Sequence, residues 1–417
     1  MNRTIADILF SAIIGDAAGY TLNGMKKNHI HAVFRDLSGY INPEPGLKNN
    51  MHKWKKAGLY SSISQNILIT AACTDNKNIN LNEFINAIKN APEIPGIEYG
   101  IFRDPGDAEK NFILHTKKNE TWTNNFDHPC SRILPPVSAL LLIKNEKNYL
   151  TSVLNYISLF TKNRSTIACS LFLIHFLNDI IQDRGQSILE TANLSAEKTE
   201  SIINSNQNII FNSGINPDYI LSEIISIREL LREFKNCSDI DNCEKAICSN
   251  AGKKYSYKIT RAGVNLPETI LPMAIVLSNS CSDPEKIFNM AMSEGGASSP
   301  LTSLSASITT AFHGLNIPEN LLNNLINKKK IFAYIDQIGE DKNRDSIIPE
   351  LYNTESGLTI KEYEEYKAKT KNLKITKSKN KNKGQREIES GLSKHIVESW
   401  TKIDKAKWKK ERNKEKL

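Results

Sequence analysis

"SEGGASSPLTSLSASITTAFHGLNIPENLL" runs from Ser293 to Leu322. Two glycines stop one apolar helical pattern, and a helix made largely of Ser, Thr and Ala follows, expected over Leu301 to His313. Ser299 with Pro300 behind it has the chemistry of an N-cap and first turn. The glycine pair Gly295–Gly296 leaves a second reading open. Free N–H groups and the helix dipole converge at such a turn and can hold a phosphate or support a metal site. No acidic side chain follows Gly296, because Ala297, Ser298 and Ser299 stand there.

Working outward, the rest of the body also reads as helices. Ile5, Ile8, Leu9, Ala12 and Ile13 share one helical face, and Gly15 and Gly19 after them permit close backbone approach. Asn216 and Pro217 open a strongly amphipathic helix through Phe234. The same periodicity predicts helices near Pro136 to Ile143, Leu150 to Phe160, Ser165 to Ile181, Pro267 to Leu277, Pro284 to Met292 and Pro318 to Ile326. Loops are expected at Asn28 to Lys56 and around Glu93 to Asn124. Alternating strand patterns are scarce, so the class is all-α, a helical domain over residues 1–360.

Residues 361–417 differ. They carry 19 Lys and Arg against 9 Asp and Glu, which leaves 35 against 37 for the body out of totals of 54 and 46. The net charge of +8 thus belongs to a basic extension, expected to be largely disordered from Lys367 onward. A short amphipathic helix built on Leu392, Ile396, Trp400 and Ile403 is expected within it. Such a tail fits a protein partner, or an anionic surface or nucleic acid. The longest apolar runs fall short of a bilayer crossing, so no transmembrane segment is expected. The N-terminal stretch, interrupted by Asp7, reads as a helix of the mature fold rather than a secretion signal. Seven scattered cysteines point to a reducing, cytoplasmic setting, although nothing in the composition bars delivery to another cell. Cys237, Cys243 and Cys248 lack zinc-type spacing and read as free or buried thiols.

Four segments in order carry a resemblance. "SAIIGDAAGYTLN" (Ser11–Asn23), "GLYSSISQ" (Gly58–Gln65), "CSRILPPVSAL" (Cys130–Leu140) and the Ser293–Leu322 segment resemble the ADP-ribosylglycohydrolase family. The resemblance implies an all-helical fold, removal of ADP-ribose from modified groups, and two Mg²⁺ ions. In the family the second segment usually reads G-x-Y-T-D-D-T and the last G-G-D-x-D-T, and their acidic residues bind metal. Ser61, Ser62, Ile63 and Ser64 stand in the first of these motifs, and Ala297, Ser298, Ser299 and Pro300 in the second. A glutamate that often follows the first G-D by seven residues is replaced by Asn23.

Mg²⁺ requires near-octahedral oxygen coordination with carboxylates, and these positions supply none. Asn23 has no useful basicity near neutral pH. The expectation is therefore a pseudoenzyme with no metal cofactor and no catalytic residue, a binding or scaffold module whose cleft takes an ADP-ribose-like ligand. The alternative is an active hydrolase using other residues. A third possibility places the function in the basic tail. Asp16 is expected to serve as a structural hydrogen-bonding group, and Arg132 to be buried with Asp16 or Asp127 as partner. His175 reads as a core histidine, and Asp127 with His128 as a surface pair rather than an acid–base pair.

Overall fold

The computed structural model describes residues 3–48, 54–75, 78–120, 128–134, 149–182, 186–237, 239–256, 258–340 and 344–382. The first helix, α1 (Arg3–Tyr20), lies against the small-residue helix and explains its composition. A Cβ on Gly15 would stand 2.4 Å from the Thr302 carbonyl oxygen, and one on Gly19 would stand 2.5 Å from the Ser298 backbone. Four hydroxyls then reach across to α1 carbonyls. Ser298 Oγ donates to Gly19 O at 2.7 Å, Ser299 Oγ to Asp16 O at 3.4 Å, Thr302 Oγ1 to Gly15 O, and Ser303 Oγ to Ala12 O at 2.8 Å. Rising numbers on one helix meet falling numbers on the other, so the pair is antiparallel. The serines and threonines are buried donors satisfied by backbone, which removes the cost of burying them.

Around this pair the chain adds α2 (Lys27–Val33), α3 (Glu44–Lys48), α4 (Ser62–Ala72), α5 (Leu81–Asn90) and α6 (Asp107–Lys117), then a 3₁₀ turn at Ser131–Ile133. Next come α7 (Tyr149–Ser158), α8 (Arg164–Gln182), α9 (Ile188–Ser205), α10 (Gln207–Asn212), α11 (Pro217–Phe234) and α12 (Ile240–Tyr255). The order closes with α13 (Pro267–Ser280), α14 (Pro284–Glu294), α15 (Ser298–His313), α16 (Glu319–Asn324), α17 (Lys328–Glu340) and α18 (Arg344–Asn382). Among the described residues the regular structure is helical, with only isolated bridges such as Lys26–Gly295. The protein is therefore all-α.

Local signals place many of these helices as expected. Asn216 Oδ1 accepts from Asp218 N at 2.9 Å ahead of Pro217, capping α11. Three expectations need correction. Asn28 to Lys56 contains α2 and α3, and Glu93 to Asn124 contains α6. Helix α6 hid because its N-cap is Gly106, which offers no side chain, while the Glu109 carboxylate reaches back to the Gly106 N–H. Finally, Lys361 to Asn382 is helical, part of α18. No Pro or Gly interrupts residues 358–382, and Lys has good helix propensity, so a helix already packed at its start continues. The helices expected at Pro136 to Ile143 and around Leu392 to Ile403 lie outside the described residues.

The chain divides into two units, Met1–Glu364 and Glu365–Leu417. In the first, α8 is long and apolar enough to cross a membrane by composition, with mean hydropathy 1.3, yet 78% of that window is buried within the protein. It is a core helix: Ile167, Phe172, Phe176, Leu177 and Ile180 are fully enclosed.

Candidate functional site

The site forms where α1, the N-terminus of α4, the start of α6, the 3₁₀ turn and the first turn of α15 meet. Asp16 sits at its centre, fully buried on α1. Its Oδ1 accepts from Ser61 Oγ at 2.7 Å, and its Oδ2 accepts from Ser64 Oγ at 2.6 Å, Ser61 N at 2.9 Å and Ser64 N at 3.2 Å. Two of those donors are orphan N–H groups at a helix N-terminus, where a carboxylate also complements the dipole. Ser61 Oγ accepts from Ile63 N, and Ser62 N donates to Arg103 O at 2.7 Å. The first turn of α4 is thus closed by the protein's own groups. Ile63 is buried with no side-chain oxygen to offer.

A second carboxylate, Glu109 on α6, lies beside the Ser61–Ser62 pair. It accepts from Ser62 Oγ at 3.0 Å, Asn66 Nδ2 at 2.6 Å, Gly106 N at 2.5 Å and Arg132 Nε at 3.3 Å. Arg132, on the 3₁₀ turn, also donates through Nη2 to Ser61 Oγ at 3.1 Å and to Ser62 Oγ at 3.3 Å. Its partners therefore differ from the expected aspartates: Glu109 takes the ion pair, and Asp16 is reached through Ser61. Burial works against the Arg132 charge, but Glu109, Asp104 and Asp16 outweigh it and raise its pKa.

At the rim, Asn23 Nδ2 donates to Asp104 Oδ2 at 2.8 Å, and Lys55 Nζ donates to the same oxygen at 2.6 Å and to Asn23 O at 3.2 Å. The Lys55 ammonium also lies 5.1 Å from the Tyr20 ring centre. Burial would raise the Asp104 carboxyl, but Lys55 and Arg132 hold it at about 2. Burial lowers the Lys55 pKa, with Asp104 opposing. Asp104 keeps about a third of its side chain open to water, so this pair is the site's wet edge.

The first part of α18 forms another wall. Glu355, fully buried, accepts from Arg103 Nη2 at 2.5 Å, Gln65 Nε2 at 2.9 Å and Tyr60 Oη at 2.6 Å. About two turns further along, Glu362 accepts from Tyr20 Oη at 3.0 Å and from Lys56 N at 2.7 Å. Burial raises the Glu362 carboxyl above its usual range.

The glycine turn resolves between its two readings. Gly295 and Gly296 have φ of 66° and 58°, and a Cβ on Gly296 would stand 2.0 Å from Gly263 O. Gly296 N donates to Met25 O at 2.6 Å, Ala297 N to Gly263 O at 2.7 Å, and Gly24 N to Gly296 O at 2.6 Å. These amides are consumed by neighbouring loops. The N-cap is Ala297, without a side-chain cap, and Ser299 and Pro300 lie inside the first turn. Ser299 is therefore not the cap, because the hydroxyls of α15 turn toward α1 instead.

The structure brings Asp16, Ser61, Ser62, Arg132 and Ser299 together in one buried cluster, with Asn23 at its edge. Sequence reasoning missed Glu109, Asn66, Lys55, Asp104 and Glu355, and the usable hint was two acids, Asp107 and Glu109, in one short stretch. His128 receives a bond from Thr161 Oγ1 on its carbonyl at 3.0 Å, while Asp127 lies outside the described residues. His175 is buried in α8 against Tyr149, far from any of these groups in the chain, and burial holds it neutral with its pKa lowered to about 4. Among the described residues no three His, Cys, Asp or Glu side chains converge to hold a metal.

A search of the curated proteins finds no match. Among solved structures, one called an ADP-ribosylglycohydrolase-related protein complex aligns with a TM-score of 0.50 at 13% identity, covering 81% of this chain and 96% of its own. At that identity the likeness speaks for the fold alone. The family model described as ADP-ribosylglycohydrolase matches residues 2–347, which takes in α1, the α4 cap, the Arg132 turn and the glycine turn together. The chain belongs to the ADP-ribosylglycohydrolase family.

Proposed function

We propose that this protein is a non-catalytic member of its family, a binding or scaffold module that works without the two magnesium ions. The observation that carries the reading is the saturation of the buried carboxylates. An ionised carboxylate offers about four lone-pair sites. Asp16 receives four hydrogen bonds from Ser61 and Ser64. Glu109 receives bonds from four residues. Both Glu109 oxygens and Asp16 Oδ2 are taken up by these donors, which leaves Asp16 Oδ1 with a single further lone pair, and the other family positions contribute Ile63, Ala297 and hydroxyls pointed at α1, far fewer free oxygens than two magnesium ions require.

Charge argues the same way. The Arg132 guanidinium lies 3.1 and 3.3 Å from the Ser61 and Ser62 hydroxyls. An ion ligated by those hydroxyls would sit roughly 4 Å from it, where repulsion between +2 and +1 costs about 8 kcal/mol at an effective dielectric constant near 20. That equals the whole binding free energy of a micromolar complex, about 8 kcal/mol. The residues present do not fit the metal pair. Nor do the site carboxyls offer a ready substitute acid: Asp104 is held ionised far below neutral pH, Glu109 is enclosed, and Glu362, raised by burial, is engaged by Tyr20 Oη and the Lys56 amide.

What remains for a ligand is the rim of Asn23, Lys55 and Asp104, with hydrogen-bond donors and acceptors suited to the hydroxyls and phosphates of an ADP-ribose-like molecule. Calorimetric titration with ADP-ribose, with and without MgCl₂, tests this reading together with incubation on ADP-ribosyl-arginine and ADP-ribosyl-serine peptides. Metal-independent binding and no released ADP-ribose are expected. Tight binding that depends on magnesium, or turnover abolished by Asp16→Ala, would overturn the assignment.

A further inference from the structure

The net charge of this protein is concentrated in one block. From Tyr366 to Arg386 the sequence holds eight Lys, one Arg and no Asp or Glu, an excess larger than the +8 of the whole chain. A surface that serves only solubility mixes both signs, whereas a block of one sign repels itself and marks an interaction segment. Through Asn382 this block is helical, as part of α18. At about 100° per residue, positions 371, 374, 377 and 381 fall within about a third of the helix circumference, in a row about 15 Å long. All four are lysine. Like charges three and four residues apart work against a helix, and an anion lying along the row removes that repulsion.

Composition selects among the polyanions. A helix that lies in a membrane surface needs a broad apolar face opposite its lysines. Between positions 367 and 386 the large apolar residues are Leu373 and Ile375, which a helix sets about 160° apart, so they do not build such a face. A single-stranded nucleic acid is held by aromatic side chains on which its bases stack, and the same stretch has none. A duplex asks only for a row of cations: B-DNA carries one charge per about 1.7 Å of axis, and its major groove, about 12 Å wide, admits an α-helix. No Arg stands between Arg344 and Arg386. Lysine is a compact point charge without the planar fork of arginine, which suits it to phosphate rather than to a base edge.

We propose that the basic part of α18, centred on Lys371, Lys374, Lys377 and Lys381, is a docking surface for duplex nucleic acid, bound through its phosphates without regard to base sequence. Each lysine that meets a phosphate displaces a condensed counterion, so four contacts give log K against log salt a slope of about −3 to −4. Between about 50 and 200 mM salt the affinity then falls about 100-fold. None of these residues belongs to the Asp16 cluster, so duplex docking and the ligand of that cluster are independent.

The test is fluorescence anisotropy of two labelled DNA duplexes of unrelated sequence, titrated with the full chain over a range of salt concentrations. Both are expected to bind alike and with the slope above. Combining Lys371→Gln, Lys374→Gln, Lys377→Gln and Lys381→Gln removes four charges while keeping good helix formers. It is expected to weaken binding at low salt at least about tenfold and to flatten the slope. A control of identical net charge combines Lys89→Gln, Lys118→Gln, Lys235→Gln and Lys329→Gln, all exposed and all outside the basic block. It is expected to bind within about threefold of wild type, since only the row meets the phosphates. Far-UV circular dichroism checks the fold of each variant. Docking on α18 is refuted if wild type leaves the duplex unbound at low salt, if the α18 variant binds like wild type, or if the control loses as much. Tighter binding to single-stranded DNA, or to vesicles containing phosphatidylserine, than to the duplex refutes it equally.

Discussion

Replacing Arg132 with Met removes the one cation that bonds the Ser61–Ser62–Glu109 cluster directly, while keeping much of the side chain's volume. Arg132 and Glu109 are 5% and 2% exposed, so water does not screen them. Deleting one member of a buried ion pair typically costs about 3–5 kcal/mol, because the survivor is left charged in a poor solvent. Here the survivor is well provided: Glu109 keeps Ser62, Asn66 and the Gly106 amide. Those donors place the expected loss at the lower end, about 3 kcal/mol. The opposite deletion, Glu109→Gln, leaves the guanidinium with only two hydroxyls and should cost at least as much.

Removing both charges should be milder than the sum of the two, since a neutral pair leaves no uncompensated ion. The assay is equilibrium unfolding in urea, followed by far-UV circular dichroism, on wild type, both single variants and the double. With a denaturant slope of ~3 kcal/mol per molar for a chain of this size, a 3 kcal/mol loss moves the midpoint by about 1 M. A coupling energy of about 2 kcal/mol is expected from the cycle. If Arg132→Met unfolds within about 0.5 kcal/mol of wild type, or the two losses simply add, the guanidinium is not what balances this cluster.

Glu355→Ala strands Arg103, which is 1% exposed along its side chain, and should destabilise the protein by about 3–5 kcal/mol, whereas Arg103→Met with Glu355→Leu should recover most of that in the same urea assay. His175 supplies a pH dependence. Its folded pKa of about 4 lies below the unfolded 6.5, so its contribution is complete above pH 6.5 and is lost as pH falls toward 4, a span of about 3 kcal/mol. Thermal melts between pH 4 and 7 should show this slope in wild type, and it should be flattened in His175→Gln. Gly15→Ala drives a methyl into the Thr302 carbonyl and should lower stability by ~3 kcal/mol or more, read as a fall in melting temperature; an unchanged melt would mean that α1 and α15 can separate freely.

The fold was legible because its central contact is written in side-chain size. Gly15, Gly19, Ser298, Thr302 and Ser303 are small wherever two backbones touch, and Asn216 with Pro217 marks a helix start within two residues. Helix α6 was missed because its cap is a glycine whose amide is satisfied from three residues further on, an arrangement with no distinctive letter. The site was legible by half. Motif positions named Asp16, Asn23, Ser61, Ser62 and Arg132, but the groups that neutralise them come from far along the chain. Glu109 lies 47 residues from Ser62, Asp104 lies 81 from Asn23, and Glu355 lies 252 from Arg103. Local periodicity carries no information about such pairings, which exist only once the helices have packed.

One of those distant groups changes how the site is understood. The family match ends at residue 347, whereas Glu355, Thr359 and Glu362 lie beyond it on α18. Arg103 donates to Glu355 and, at 2.9 Å, to Thr359 Oγ1, while Glu362 holds Tyr20 and the Lys56 amide. A guanidinium as enclosed as Arg103 cannot remain charged and unpaired, so Arg103 and the carboxylate of α18 must be kept together. Lys55 with Asp104, and Arg132 with Glu109, obey the same rule on the other side of Asp16. Three ion pairs built wholly from side chains thus surround the cluster. Restoring aspartates at positions 62, 63, 297 and 299 would add negative charge to carboxylates that already have their counterions, and would leave Arg132 facing any incoming metal. The variant carrying aspartate at those four positions is therefore expected to show no tight magnesium binding in calorimetric titration, and a paired-metal isotherm from it would refute the argument that the existing ion pairs have already claimed the cluster.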